Sequence, residues 1–427
     1  MDNTTFGNRE SGNHASGGCV SSVTVSGNHA SPHVKPSEDP SHAERLSARQ
    51  VPLRMRKYMD NAALFRCPVC AAASAKAIEE PADNSRDGRD GRDRQGVVEA
   101  IESMDLLPRG SALVCDAGHT FDVSRKGYVN FVPSQKPLKG YSKAFFEARR
   151  EFLSWGYYDH VLQVVSQVVL KAAADARVND RFRVLDAGCA EGYYLRGIRQ
   201  AIQTADAEAN EADANSAEIS GAEISGSKVS GSKVSGAKVA DGERPAAAAA
   251  TLLIGADISK DAVRLAAGGG DPNLWIVDDV ANLALADASM DCILNVFTPA
   301  NYREFRRVLR HGGMLVKVVP GPRHLEQLRR ALGDGDHDEG DVVRIFQRNC
   351  DTTAVIPATR TFDVPPERVP TLIGMTPLAF RLDEAQRRKI MVSRITIDAR
   401  VLVGVLRPDE TPDTIAQTTN QSKVNNR

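Results

Sequence analysis

An α/β doubly wound domain preceded by a small N-terminal metal-binding domain is the fold class this sequence predicts. From about 180 to 325, short apolar runs alternate with segments of helical pattern, the layout of a mostly parallel sheet covered by helices. Ahead of that region, Cys67-Pro68-Val69-Cys70 and the distant Cys115-Asp116-Ala117-Gly118-His119 offer thiols and an imidazole at metal-ligand spacing.

The rest of the chain is organised around Val184-Leu185-Asp186-Ala187-Gly188-Cys189-Ala190-Glu191-Gly192-Tyr193-Tyr194. An apolar run ends in an acid, Asp186, then in small residues and a segment able to start a helix. Ligands of open parallel sheets bind at the carboxyl ends of strands, near such junctions. Gly188 and Gly192 let the backbone approach a ligand, and a helix N-terminus presents unpaired N–H groups. No Gly-Lys-Ser/Thr follows, so the loop is not a P-loop. Asp-x-Gly-x-Ala-x-Gly resembles motif I of class I (Rossmann-like) S-adenosylmethionine (SAM) methyltransferases. Taken alone, a glycine-rich structural turn or a nucleotide site fits as well.

Strands are expected at 182–186, 251–256, 274–277, 291–297 and 314–319, with helices after Glu191, Lys260, Ala300 and Gly321. The second strand ends in Asp257, a carboxylate able to accept from both ribose hydroxyls. A helix N-cap is the alternative, which Ser259 or Asp257 would serve. Asp278-Asp279 follows the third strand and supplies an acid for an adenine amino group, Asp279 having the better spacing to Leu283; a cap or turn is again the alternative. Asn295-Val296-Phe297-Thr298-Pro299 resembles, without matching, the Asn-Pro-Pro-aromatic motif of amino-group methyltransferases, so an exocyclic amine target is not indicated. After the fifth strand, Arg323 or His324 is placed to face cofactor or substrate.

In the metal-binding domain, expected over 61–135, Cys67 and Cys70 grip one ion through a tight turn, and Cys115 with His119 completes a tetrahedral set. Asp116 or Asp122 is an alternative ligand, and unrelated buried thiols are the alternative to a metal. Four protein ligands leave no open position, so the ion expected is structural Zn²⁺. A mixed-charge repeat about 82–96 interrupts this domain and reads as an extruded loop.

The remaining stretches are read from composition. Residues 1–60 are rich in Ser, Gly, Asn and His and read as a disordered tail, as do 408–427. Residues 136–180 form a linker and helices, helical from Lys143 through Gln167. From Arg125 into that helical stretch, Arg125, Lys126, Tyr128, Lys136, Lys139, Tyr141, Lys143, Arg149 and Arg150 interleave charge with rings. Such residues contact phosphates and stack on bases, or simply coat a solvated connector. The second domain runs 181–407. It carries a low-complexity insertion about 204–250 with tandem five-residue units, read as a flexible excursion. Residues 326–407 add a lid or extra strands.

Composition sets outer limits. The 427 residues are 42% apolar with net charge −1, enough for a core and without a global basic field. No run of 18 apolar residues exists, so no membrane span is expected. No charged start followed by an apolar core opens the sequence, and the cysteines read as metal ligands rather than a disulfide framework, so the cytoplasm is the expected compartment.

The zinc set, Arg-Lys-Gly-Tyr-Val-Asn, Ala-Arg-Arg-x-Phe-Leu, Cys-x-Glu-Gly-Tyr-Tyr, Gly-Pro-Arg-His-Leu and Met-Thr-Pro occur here in one order. In that order they resemble the RlmA-type 23S rRNA (guanine-N1)-methyltransferases over roughly 62–400. The resemblance implies a zinc-binding domain that aids RNA recognition, joined to a class I SAM domain. It also implies a guanine target in a 23S rRNA hairpin near the peptide exit tunnel, and a homodimer. Carried over residue by residue, Cys67, Cys70, Cys115 and His119 hold zinc, Tyr158 contacts SAM, Ala190 and Glu191 are loop contacts, and His324 lies beside the cofactor. The family commonly has glycine where Ala190 stands; a left-handed backbone there costs roughly 1–2 kcal/mol. Gly140 through Arg150 looks more like the Gram-positive branch, associated with tylosin resistance, than the enterobacterial one. The branches modify neighbouring guanines, which leaves the base open. The proton acceptor is unassigned among Asp279, Glu191 and His324. Two other functions compete: a small-molecule methyltransferase, and an RNA-binding assembly protein whose SAM site has decayed.

Overall fold

The computed structural model describes residues 52–79, 104–132, 138–176, 181–222, 251–333 and 340–408. The 82–96 loop, most of the 204–250 insertion, most of the N-terminal tail and nearly all of 408–427 lie outside the described residues.

Two sheets are present. A small antiparallel one joins β1 (Leu107–Arg109), β2 (Ala112–Val114) and β3 (Thr120–Asp122) in that order. The large sheet has eight strands in the order β10-β11-β9-β8-β5-β6-β7-β4. Its members are β4 (Val129–Asn130), β5 (Phe182–Ala187), β6 (Thr251–Asp257), β7 (Leu274–Val277), β8 (Met290–Val296), β9 (Leu309–Pro320), β10 (Cys350–Asp363) and β11 (Arg394–Leu406). Strands β4 to β9 pair in parallel, while β11 runs antiparallel between β9 and β10. The order reverses at β5, with β6 on one side and β8 on the other. That reversal opens a crevice beyond the carboxyl ends, where such sheets bind ligands.

Both faces of the sheet are covered, which is why β8 and most of β5 are buried at every position and read as continuous apolar runs rather than alternating ones. Val184 and Cys292 face one core, built with the helix Asp159–Asp175 and the start of Tyr193–Ala222. Leu185 and Ile293 face the other, which is continuous with Met55, Tyr58, Phe65, Cys67, Cys115 and Phe121 of the metal-binding region. That region therefore shares its core with the sheet. It also donates β4, whose Val129 lies opposite Ile276 at the sheet edge.

Several expectations need correction. The N-terminal tail does not extend to residue 60: Leu53–Met59 is a helix with Met55 and Tyr58 buried, because apolar residues at this spacing fall on one helical face. The helical stretch from Lys143 is two helices, Lys143–Ser154 and Asp159–Asp175, broken where Gly156 takes φ 81°. The helix begun at Tyr193 does not give way to a flexible excursion at about 204 but continues to Ala222, since Ala and Glu are strong helix formers. Strand β9 starts at Leu309, five residues earlier than expected, because Gly312 and Gly313 masked its onset. Residues 350–406 supply the extra strands β10 and β11. No described helix is long and apolar enough to cross a membrane.

The Tyr58 hydroxyl ties the first helix to the sheet. It accepts from Trp275 N at 2.8 Å, and its one proton lies within reach of the carbonyls of Gly127 (2.8 Å) and Trp275 (2.9 Å). Tyr58→Phe leaves buried backbone groups without that partner and is expected to cost about 1–3 kcal/mol. Urea denaturation checks this; an unchanged midpoint would refute it.

Candidate cofactor site and metal centre

The metal centre is assembled from two turns. Cys67 precedes the helix Pro68–Glu79 and Cys70 sits in its first turn, so both sulfurs point to one side. Cys115 and His119 flank the β2–β3 turn, closed by Cys115 N donating to His119 O (3.1 Å) and Gly118 N to Cys115 O (2.9 Å). Their four ligand atoms lie within 4.8 Å of one another, and the three cysteines are buried. Zn–S near 2.3 Å and Zn–N near 2.0–2.1 Å in a tetrahedron give edges of about 3.8 Å for S···S and about 3.5 Å for S···N. The structure has Cys70 Sγ–Cys115 Sγ at 3.8 Å, and His119 Nδ1 at 3.4, 3.4 and 3.6 Å from Cys70, Cys115 and Cys67. The set fits a zinc ion, with no vertex left for chemistry. Burial and the adjacent sulfurs push the Cys70 thiol up to about 12, so thiolates side by side here call for a cation.

The second site lies at the carboxyl ends of β5, β6, β7 and β8. It is a cavity of about 920 Å³ bounded by Gly188, Ala190, Asp257 and Asp279 on one side and by Tyr158, Phe297, His324 and Thr376 on the other. A second cavity of about 710 Å³, near Ile373 and Met391, contains none of the site residues expected from sequence.

The loop after β5 is held from β6: Gly188 N and Cys189 N both donate to Ala256 O (2.8 and 3.0 Å). A β-carbon on Gly188, at φ 93°, would sit 2.6 Å from Thr298 Cγ2. Ala190 takes φ 48°, so the left-handed backbone is real and carries its penalty. Ala190 N donates to Asp257 Oδ2 (2.9 Å), while Oδ1 accepts from Ser259 N (2.8 Å). Ser259, not Asp257, caps the next helix by accepting from Ala262 N. Asp257 thus braces the loop and still lines the cavity with free lone pairs. Asp278 is buried and spent on Ala284 N and Asp279 N; Asp279 faces the cavity, with Oδ1 on Ala281 N.

Beneath the loop, both oxygens of Asp186, Oε1 of Glu191 and the Tyr194 hydroxyl are buried with no hydrogen-bond partner. Burial, then the nearby Asp257 and Glu191, push the Asp186 carboxyl up to about 8. Unpaired buried carboxylate oxygens point to an absent cationic donor. SAM carries an ammonium and a sulfonium, and this donor set fits it. Arg149 reaches in from the helix Lys143–Ser154 and pairs with Glu191 Oε2 at 2.9 Å. Reading Arg149 only as a surface contact missed this. The available signal was its place among Phe145, Phe146, Phe152 and Leu153, the apolar face of that helix.

Tyr158 and His324 meet on the cavity wall, Tyr158 Oη lying 3.3 Å from His324 Nε2. His324 Nδ1 is 2.9 Å from the Asp398 carbonyl, which can only accept, so Nδ1 carries the proton and Nε2 accepts from the tyrosine. Arg323 is exposed and outside the cavity lining; its backbone N–H donates to Asp398 Oδ2 and its carbonyl accepts from Glu326 N. Phe297 and Lys317 also went unmarked in the sequence, although a lysine within the buried run of β9 was a signal.

A family model for the N-terminal zinc ribbon of RlmA matches residues 101–138. The chain is 27% identical over 352 residues to a putative 23S rRNA (guanine-N(1)-)-methyltransferase, YxjB, of Bacillus subtilis, covering 80% of this chain and 97% of that protein. It is 28% identical over 318 residues to a putative 23S rRNA (guanine-N(1)-)-methyltransferase of Micromonospora griseorubida, covering 70% and 90%. Identity to the 23S rRNA (guanine(748)-N(1))-methyltransferase of Streptomyces fradiae is 30% over 232 residues, covering 53% and 65%. The chain resembles this RlmA-type group both in its zinc ribbon and in its methyltransferase domain.

Ala190→Gly relieves the left-handed penalty but loosens the unfolded chain, for a net gain of about 0.5–1 kcal/mol. Calorimetry should show a higher melting temperature, and a lower one would refute the strain. Cys115→Ser should abolish stoichiometric zinc by elemental analysis and lower the melting temperature, because the metal region shares the sheet's core.

Proposed function

We propose that this chain is a SAM-dependent methyltransferase that methylates N1 of a guanine in a 23S rRNA hairpin, with the zinc region aiding RNA recognition. The observation that carries the cofactor half is the set of unpaired buried carboxylate oxygens of Asp186 and Glu191 beneath a glycine-containing loop. The rRNA half is supported by the activity for which the relatives are named, methylation of 23S rRNA at guanine N1. Such a substrate places the work in the cytoplasm, where ribosomes are assembled.

When bound, SAM supplies a methyl carbon made electrophilic by its sulfonium sulfur. In this reading Asp186, Glu191 and Arg149 hold its amino-acid end, Asp257 the ribose and Asp279 the adenine, with Gly188, Ala190 and Gly192 forming the loop beneath. The chain's remaining tasks are to align the guanine N1 with the methyl carbon and to take the N1 proton. Of the three candidate acceptors, Glu191 is committed to Arg149 and Asp279 stands at the β7 end with an oxygen on Ala281 N. His324 is the one whose orientation is fixed from behind, by Asp398, so that a basic nitrogen faces the cavity. In this reading its Nε2 would take the N1 proton, giving up the hydrogen bond from the Tyr158 hydroxyl. An extruded base reaches such a recessed pocket more readily than a stacked one.

Purified protein, unmethylated 23S rRNA and isotopically labelled SAM should give labelled 1-methylguanosine by nucleoside mass spectrometry, with primer-extension stops locating the base. An unlabelled RNA from folded, zinc-loaded protein would sink the reading. Because Asp186 is raised to about 8 in the free protein, it is largely protonated at pH 6 and ionised above pH 8. A cationic ligand favours the ionised form, so SAM affinity measured by calorimetry should rise from pH 6 to 8 and then level off. Asp186→Asn should weaken SAM binding roughly 10- to 100-fold, the loss of a charged hydrogen bond, and flatten that pH dependence. A variant that binds like wild type would remove Asp186 from the cofactor site.

A further inference from the structure

The turn after β8 is built around a cation that the cofactor assignments leave unused. Lys317 lies within β9 with its ammonium buried, and no carboxylate among the described residues pairs with it. Its Nζ donates to Asn295 Oδ1 (2.6 Å) and to the Thr298 carbonyl (2.9 Å). Asn295 Nδ2 in turn lies within reach of Ala187 O, Thr298 Oγ1 and Pro299 O, and Thr298 Oγ1 donates to Ala187 O. Phe297 N donates to Val318 O at 3.0 Å. Strands β5, β8 and β9 are all stapled to this one turn. Burial lowers the Lys317 ammonium to about 8, so the fold keeps a charge there against its desolvation cost.

The turn forces Phe297 to φ 54°, a left-handed conformation that a bulky residue adopts only when its surroundings over-determine it. Its ring is left partly exposed on the cavity wall, with its centroid 5.3 Å from that of His324 at a 34° tilt and edge-on to Tyr158 at 6.0 Å. Thr298, the next residue, abuts Gly188. The ring is therefore held between the cofactor loop and the proposed proton acceptor.

We propose that the Phe297 ring is the platform on which the target purine stacks, and that Lys317 is the positioning residue that presents it. The inference rests on the nucleobase substrate proposed above. A ring without hydrogen-bonding groups holds any base by its face and gives registry rather than base identity.

Single-turnover methyl transfer to unmethylated 23S rRNA, compared across wild type, Phe297→Leu, Phe297→Trp and Lys317→Met, tests this, with SAM titration and melting temperature as checks on folding. Phe297→Leu should slow transfer by about 5- to 150-fold, the range of one lost base–aromatic stack. Phe297→Trp, which keeps an aromatic face, should recover most of that rate, and SAM affinity should hold in both. Lys317→Met should follow Phe297→Leu in rate while still binding SAM. Leucine at the wild-type rate, or tryptophan as slow as leucine, overturns the stacking role. Lys317→Met at the wild-type rate overturns the positioning role. Wild-type protein that labels no RNA brings down the functional reading, and this inference with it.

Discussion

Buried negative charge at the carboxyl end of β5 is the constraint on which the rest of the site depends. Asp186, Glu191 and Asp257 converge there, and the parallel register that sets Asp186 beside Gly255 and Leu294 leaves them nowhere else to go. Isolated buried carboxylates are costly. Arg149 offsets one of them, loop N–H groups satisfy Asp257, and Asp186 is left raised to about 8 and unpaired. A site with negative charge in excess is organised for a cationic ligand, and that property accounts for the inward arginine.

The metal centre solves a different problem. Three short strands and two helices would bury little by themselves, and the four ligands fix their turns instead. Yet Phe65, Leu113 and Phe121 share a core with Leu185 and Ile276, and β4 extends the large sheet. Zinc therefore stabilises a surface that is continuous with the large sheet, and the registers of the two parts are fixed together through Tyr58 and Trp275. A ribbon secured in this way is a rigid base rather than a swinging arm.

Motifs at strand ends were legible because their chemistry is local. Asp186, Gly188, Asp257 and Asp279 stand where short apolar runs stop; the structure brings the last three to one crevice and buries Asp186 beneath its loop. The zinc ligands were legible across a long gap because thiols two residues apart have few other uses in such a chain. Arg149, Phe297 and Lys317 were not, since each acts through partners far away in sequence: Glu191, His324 and Asn295. Arg149 read as surface charge because its inward direction shows only once the helix docks. Phe297 read as the end of a strand because a left-handed backbone at a non-glycine residue leaves no mark in composition.

By itself, the sequence determined the alternation of strands and helices, the acids that end the strands, and the thiol and imidazole set for a metal. Those follow from periodicity and spacing, which act over a few residues. Tertiary structure alone decided that Ser259 caps the helix and frees Asp257, that His324 rather than Arg323 faces the cavity, and that a buried lysine aims an aromatic ring. Each of these turns on which groups the packed strands and turns bring within hydrogen-bonding or cavity reach, a property of the packed molecule rather than of the chain.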